Sequence, residues 1–88
     1  MAIHGTIKSA RVAADGIAYT GKGYFYGITV STAAGAIVVY DNTAASGTQL
    51  MQANAMGNYF IDPPIPFTIG IYVDITSNVA IVYYAEAP

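Results

Sequence analysis

Apolar and polar residues alternate with a period of two along the most regular segments of this chain. In segment 24–31, Tyr24, Tyr26, Ile28 and Val30 are predicted to share one face. This period is typical of a β-strand with one buried face, whereas a helix repeats every ~3.6 residues. No segment shows a helical period, so the sequence predicts an all-β fold. In segment 67–76 the residues predicted to face inward are Phe67, Ile69, Ile71, Val73 and Ile75.

Turn-forming residues divide the chain into short apolar segments. Asp, Asn and Ser bond nearby backbone in turns, and glycine allows positive φ. Hairpins are expected to join most neighbouring strands, which makes the sheets antiparallel. The prolines of Asp62–Pro66 lack an N–H group, so we predict an irregular or edge segment there. Residues 1–88 are therefore predicted to form a single β domain, a small antiparallel β-sandwich or jelly-roll-like barrel of six to eight short strands. The predicted strands are 3–12, 17–20, 24–31, 36–40, 48–53, 59–61, 67–76 and 79–85.

Charged side chains are scarce. They make up 9% of the 88 residues, against about 25% in an ordinary soluble domain. The hydrophobic fraction is 55%, and a domain this small has too little interior to bury all of it. We therefore expect other protein to cover part of the surface, in a homo-oligomer or a larger shell. The three basic residues are too few for the phosphate contacts of nucleic-acid binding or for attraction to an anionic membrane.

The sequence offers little catalytic or metal-binding chemistry. His4 is the only histidine and there is no cysteine, so we predict neither catalytic residues nor a cofactor. Clustered carboxylates can bind calcium, and Asp41, Asp62 and Asp74 are the candidates. Asp41 and Asp62 each adjoin a turn residue, which turn capping alone would explain. We predict no metal site and a protein that is not an enzyme.

Tyrosine is unusually frequent, with eight residues. Tyrosine suits protein interfaces because an apolar ring carries a polar hydroxyl, but the same rings can pack in a core or stack on a glycan. Tyr83 and Tyr84 are adjacent in the last predicted strand and so point to opposite faces. We expect Tyr84→Ser to weaken oligomer formation more than folding. The predicted interface residues are Tyr19, Phe25, Tyr40, Tyr72, Tyr83 and Tyr84.

The segment Gly35–Thr48 resembles one that is common in very small proteins encoded by tailed bacteriophages. Its neighbours are similar as well: an aromatic-Gly-Ile-x-Val strand at Tyr26–Val30, an apolar strand with glycine at Phe67–Ile71, and a last strand, Val79–Tyr84, that ends in tyrosines. The resemblance covers roughly residues 21–84. It implies a virion structural protein with a small β-sandwich, and it transfers no functional residues.

In that setting the expected role is a head decoration, or cement, protein that stabilises the capsid through protein–protein contacts. The expected partners are other copies of the chain, with a homotrimer favoured, and the major capsid protein. The expected location is the capsid surface of a virion assembled in the bacterial cytoplasm. The alternatives are a tail, neck or fibre component of the virion, or a glycan-binding β-sandwich module.

Overall fold

A computed structural model describes residues 7–31, 36–75 and 79–87. These residues form eight strands and no helix, arranged as two four-stranded antiparallel sheets. The predicted all-β sandwich is confirmed. The predicted strand 48–53 is reproduced without change, while most other bounds shift by one to several residues. The strands are β1 (Lys8–Val12), β2 (Gly16–Thr20), β3 (Gly23–Val30), β4 (Ile37–Asp41), β5 (Thr48–Ala53), β6 (Gly57–Phe67), β7 (Gly70–Ile75) and β8 (Ala80–Glu86).

The strand order is that of a jelly roll. Sheet 1 has the order β1-β8-β3-β6 and sheet 2 the order β2-β7-β4-β5. The pairs β1·β8, β2·β7, β3·β6 and β4·β5 are nested, and successive pairs alternate between the two sheets. Among the described strands, β4 and β5 are the one pair that is consecutive in sequence and also hydrogen-bonded in a sheet. The prediction that hairpins join most strands was therefore wrong. The alternation of residues specifies which face a strand buries, but it does not specify the neighbouring strand.

The core lies between the two sheets. Each fully buried side chain of this size contributes about 1.5–3 kcal/mol relative to an exposed one. Sheet 1 provides residues of β3, β8 and the end of β6, and sheet 2 provides residues of β4 and β7. The largest side chains that are completely buried are Phe25, Phe67, Ile28, Ile37, Ile71, Val30, Val39, Val73 and Val82.

A bulge in β3 changes which of its residues face the core. Phe25 pairs with Tyr84, but Gly27 pairs with Tyr83, so Tyr26 is an extra residue on this strand. Phe25 and Ile28 are consequently both buried, while Tyr26 is half-exposed. The prediction that Tyr24, Tyr26, Ile28 and Val30 share one face was therefore wrong.

The predicted strand 67–76 is interrupted where the chain crosses between the sheets. β6 ends at Phe67 in sheet 1 and β7 begins at Gly70 in sheet 2. The Asp41 carboxylate accepts hydrogen bonds from the backbone N–H groups of Thr68 (3.1 Å) and Ile69 (2.9 Å) at this crossing. Ile69, which was predicted to face inward, is instead 48% exposed.

The proline-rich segment lies on an edge strand, as predicted. β6 is the last strand of sheet 1, and its outer side needs no hydrogen-bond partner. Phe25 pairs with Ile65 and Gly27 pairs with Phe60, so residues 61–64 have only Tyr26 opposite them and leave the ladder. Pro63 and Pro64 therefore fall where β6 is least regular, while Pro66 pairs with Tyr24 on β3.

Candidate interaction surfaces

The six predicted interface residues divide into a buried group and a surface group. Phe25 is 0% exposed and Tyr84 is 8% exposed, so both belong to the core of the monomer. The Tyr19 ring stacks on the Tyr84 ring with centroids 4.9 Å apart and meets Phe67 edge-on at 5.9 Å. These three side chains offer a partner little surface. Tyr84→Ser is therefore now expected to destabilise the monomer itself, which reverses the expectation from the sequence.

The outer face of sheet 1 carries an aromatic pair over a glycine. Tyr83 and Phe60 are the register partners of Gly27 on its two sides, and the ring centroids of Phe60 and Tyr83 are 5.5 Å apart. Aromatic side chains beside a strand glycine cover backbone that a side chain would otherwise shield. The Thr29 hydroxyl donates to Asn58 Oδ1 (2.8 Å) and lies 3.1 Å from the Tyr83 hydroxyl. Phe60 remains 65% exposed at the end of this row.

The outer face of sheet 2 carries a row of four side chains, one from each strand. In register order the row is Ile17, Tyr72, Tyr40 and Gln49, and we call it the tyrosine row. Tyr72 lies between the buried residues Ile71 and Val73, which confirms that it points away from the core. The next row along the same face has Asp74 opposite Val38. This face therefore combines two half-exposed tyrosines with a carboxylate and an amide.

Several charged side chains stabilise turns and strand ends in the described part of the chain. Asp15 accepts a hydrogen bond from the Ile75 N–H (2.7 Å), and Asp41 binds the backbone at the β6–β7 crossing. Lys8 Nζ donates to Glu86 at 2.6 Å, and this hydrogen bond raises the pKa of Lys8 above its ordinary value. Lys8 and Glu86 lie on the paired strands β1 and β8, away from β5 and β6.

One side of the sandwich has a long uncharged segment, which ends at the exposed Asp62 on β6. β5 and β6 are the edge strands of the two sheets and are joined by the short loop 54–56, so they lie on the same side. Every residue from Asn42 to Ile61 is uncharged. Met56 in the loop is 62% exposed, and Phe60 on β6 is 65% exposed. We call residues 48–61 the charge-free side.

The carboxylates of the described residues form no cluster that could hold a metal ion. Across residues 7–31, 36–75 and 79–87, no group of three or more His, Asp or Glu side chains is placed to hold a metal ion. His4 lies outside the described residues. Asn42 fulfils the predicted turn role: its Oδ1 accepts the Thr43 N–H, and its Nδ2 donates to the Ser46 carbonyl, both at 2.8 Å.

A shallow depression of about 310 Å³ lies where β3 begins and β6 ends. Its walls include Tyr24, Pro66 and Phe67, and Lys22 is the charged residue on its rim. A single ammonium group beside apolar walls defines no ligand chemistry. The exposed sheet faces and the charge-free side are therefore the better candidates for function.

Comparisons with models of protein families, with curated proteins and with solved structures find no match for this chain. Among the described residues there is no helix long and apolar enough to cross a membrane.

Reasoning from the sequence missed Phe60 and Met56 as surface candidates. Met56 stands alone among polar or small residues, and Phe60 lies inside the short apolar run Tyr59–Ile61, so no period reveals the orientation of either side chain. The signal that would have found them is the uncharged run Asn42–Ile61, because charge is depleted at the centres of protein interfaces.

Proposed function

We propose that this chain is a structural protein of a tailed-phage virion and acts as a head decoration protein on the capsid surface. The observation that supports this most is the charge-free side, which presents Met56 and Phe60 to solvent. Methionine and aromatic residues are enriched at protein interfaces, and charged residues are depleted at their centres. The resemblance of segment 21–84 to small phage proteins supplies the setting.

The mechanism of a decoration protein is mechanical. Copies that bridge neighbouring capsid subunits bury additional apolar surface, which contributes ~25 cal/mol per Å² before the cost of ordering is subtracted. A contact of roughly 1,000 Å² would suffice for a weak but specific site, and many copies repeat that contribution over the shell. Double-sheet jelly rolls occur in viral capsid proteins, although a fold alone does not assign a function.

A tail, neck or fibre component would use the same kind of surface. The two positions differ in the number of sites they offer, because a shell repeats its lattice contacts many times while a tail or neck has few. The low charge of the chain fits both, and the capsid surface is the proposal because the chain is small, compact and rich in strands.

Binding to capsids tests the proposal directly. Purified chain is mixed with expanded capsids that lack it and is then sedimented with them. We expect saturable binding to expanded shells and weaker binding to unexpanded ones, whose subunit junctions differ. A chain that stays in the supernatant with both kinds of shell would contradict the decoration role.

A glycan-binding module is the second candidate, favoured by the tyrosine row. Tyr72 and Tyr40 are adjacent on the outer face of sheet 2, with Gln49 and Asp74 beside them. Half-exposed rings next to an amide and a carboxylate are groups that can stack on and hydrogen-bond a sugar.

A glycan array probes this second function. If the face binds sugar, Tyr72→Ala should abolish the signal, while Phe60→Ala, on the opposite sheet, should leave it unchanged. No signal for the unmodified chain, or an equal loss of binding in both variants, would contradict glycan binding by the tyrosine row.

A further inference from the structure

We propose that the charge-free side is the surface through which copies of this chain bind one another. The inference deepens the proposed function, because it supplies the contact for the expected homo-oligomer. It rests on three features of residues 48–61: an edge strand without charge or proline, two exposed apolar side chains, and the absence of charged residues.

β5 is the least protected of the four edge strands in the described part of the chain. Edge strands are commonly guarded against pairing with another chain by charges, prolines, bulges or short length. β1 carries Lys8 and Arg11, β6 carries Asp62 and the prolines, and β2 has five residues interrupted by a bulge. β5 has six residues and contains neither charge nor proline.

β5 does contain one bulge, at Leu50. Val39 pairs with Met51 and Tyr40 with Gln49, so Leu50 is the extra residue, and its side chain lies in the core. Beyond the bulge the ladder is regular from Met51 to Ala53. No described strand pairs with the outer edge of β5, so its outward N–H and C=O groups remain available for hydrogen bonds to a neighbouring chain.

Apolar side chains continue this edge onto β6. Met56 and Phe60 are the two most exposed of the large hydrophobic residues in the described chain. Met56 lies in the loop directly after β5, and Phe60 lies on the neighbouring edge strand. Within residues 48–61 the polar neighbours are neutral amides and hydroxyls: Thr48, Gln49, Gln52, Asn54 and Asn58. The nearest charge along β6 is the exposed Asp62, two residues after Phe60.

A second copy of the chain is the occupant that this chemistry fits. Residues 48–61 of two copies can meet without burying an unpaired charge, while Asp62 stays at the rim of the contact in water. A basic or acidic partner would instead require complementary charge, which residues 48–61 do not offer. An exposed strand edge is also self-complementary, because each copy presents both donors and acceptors.

Sedimentation velocity of purified chain at several concentrations tests the proposal. We expect the unmodified protein to form a dimer or trimer. Gln52→Lys and Met56→Lys each place a charge on the charge-free side and should raise the dissociation constant by about tenfold or more. Ser9→Lys adds the same charge to exposed β1 on the opposite side and should leave it unchanged. Circular dichroism checks that all three variants fold.

Hydrogen exchange identifies the surface without mutation. Amides of residues 48–61 should gain protection as the protein concentration rises, while those of β1 and β2 should not. A chain that stays monomeric at millimolar concentration would overturn the inference. So would an oligomer that Ser9→Lys disrupts and that tolerates Gln52→Lys and Met56→Lys.

The inference and the proposed function fail separately. If the chain associates through residues 48–61 but binds no capsid, the self-association surface is supported and the decoration role is contradicted. If the chain binds capsids as a monomer, the decoration role is supported and the self-association surface is contradicted.

Discussion

Replacing Gly27 with alanine should lower the free energy of unfolding by about 3–5 kcal/mol, a large part of the stability of an 88-residue domain. Gly27 has φ of 133°, a region that residues with a side chain rarely adopt. A Cβ atom there would lie 2.1 Å from the Tyr59 carbonyl oxygen and 2.9 Å from Phe60 Cα. Both clashing atoms belong to the backbone of the paired strand β6. The clash can therefore be relieved only if the hydrogen bonds between β3 and β6 break locally.

Gly16→Ala is the matched control for this substitution. Gly16 also lies in a strand, but the nearest atom to an added Cβ is 3.9 Å away. We expect the stability of this variant to change by less than about 1 kcal/mol. Urea unfolding followed by circular dichroism measures both variants. Equal stability of the two alanine variants would show that β3 and β6 are not packed as described around the bulge.

Replacing Phe25 with alanine should lower the free energy of unfolding by about 3–5 kcal/mol. Phe25 is 0% exposed, and its register partners are Tyr84 on β8 and Ile65 on β6. Removing the ring leaves a cavity in the core between the two sheets. The sequence suggested Phe25 as an interface residue, and in that case the substitution would weaken association while sparing the monomer.

Phe60→Ala deletes the same side chain at an exposed position and serves as the control. It loses the ring contact with Tyr83 and should lower monomer stability by only about 1 kcal/mol. Unfolding is measured at low protein concentration, where association contributes little, and association is measured by sedimentation. If the Phe25→Ala monomer is stable but associates poorly, Phe25 is an interface residue as the sequence predicted. That result would contradict the bulge in β3, which directs Phe25 into the core.

Strand positions and the class of fold followed from the sequence because a period of two is imposed by the β-strand itself. The terminal strand, β5 and the edge character of the proline-rich segment were all predicted on such local grounds. The bulge at Tyr26 was not, because an extra residue reverses the phase of a strand without changing its composition. The break near Ile69 was also missed, since it depends on Asp41, a residue distant in sequence that binds the crossing.

The candidate surface was predicted only in part. Tyr72 lies on an outer sheet face, as its alternation with Ile71 and Val73 predicted, and Tyr83 and Tyr84 point to opposite faces as expected. Tyr40 also lies on an outer face, which the sequence pattern did not predict. The charge-free side could not be derived from pattern alone, because its two halves belong to different sheets. The jelly-roll order places the edges of β5 and β6 on one side of the sandwich. The uncharged run between Asp41 and Asp62 therefore forms one continuous surface there.

Counting this protein in purified virions tests its proposed role in the capsid most directly. Quantitative mass spectrometry gives its number of copies relative to the major capsid protein. A decoration protein is expected at a ratio near one, or at a simple fraction such as a third. A few copies per hundred capsid subunits would move the chain to the tail or neck, and its absence from the virion would contradict the structural role.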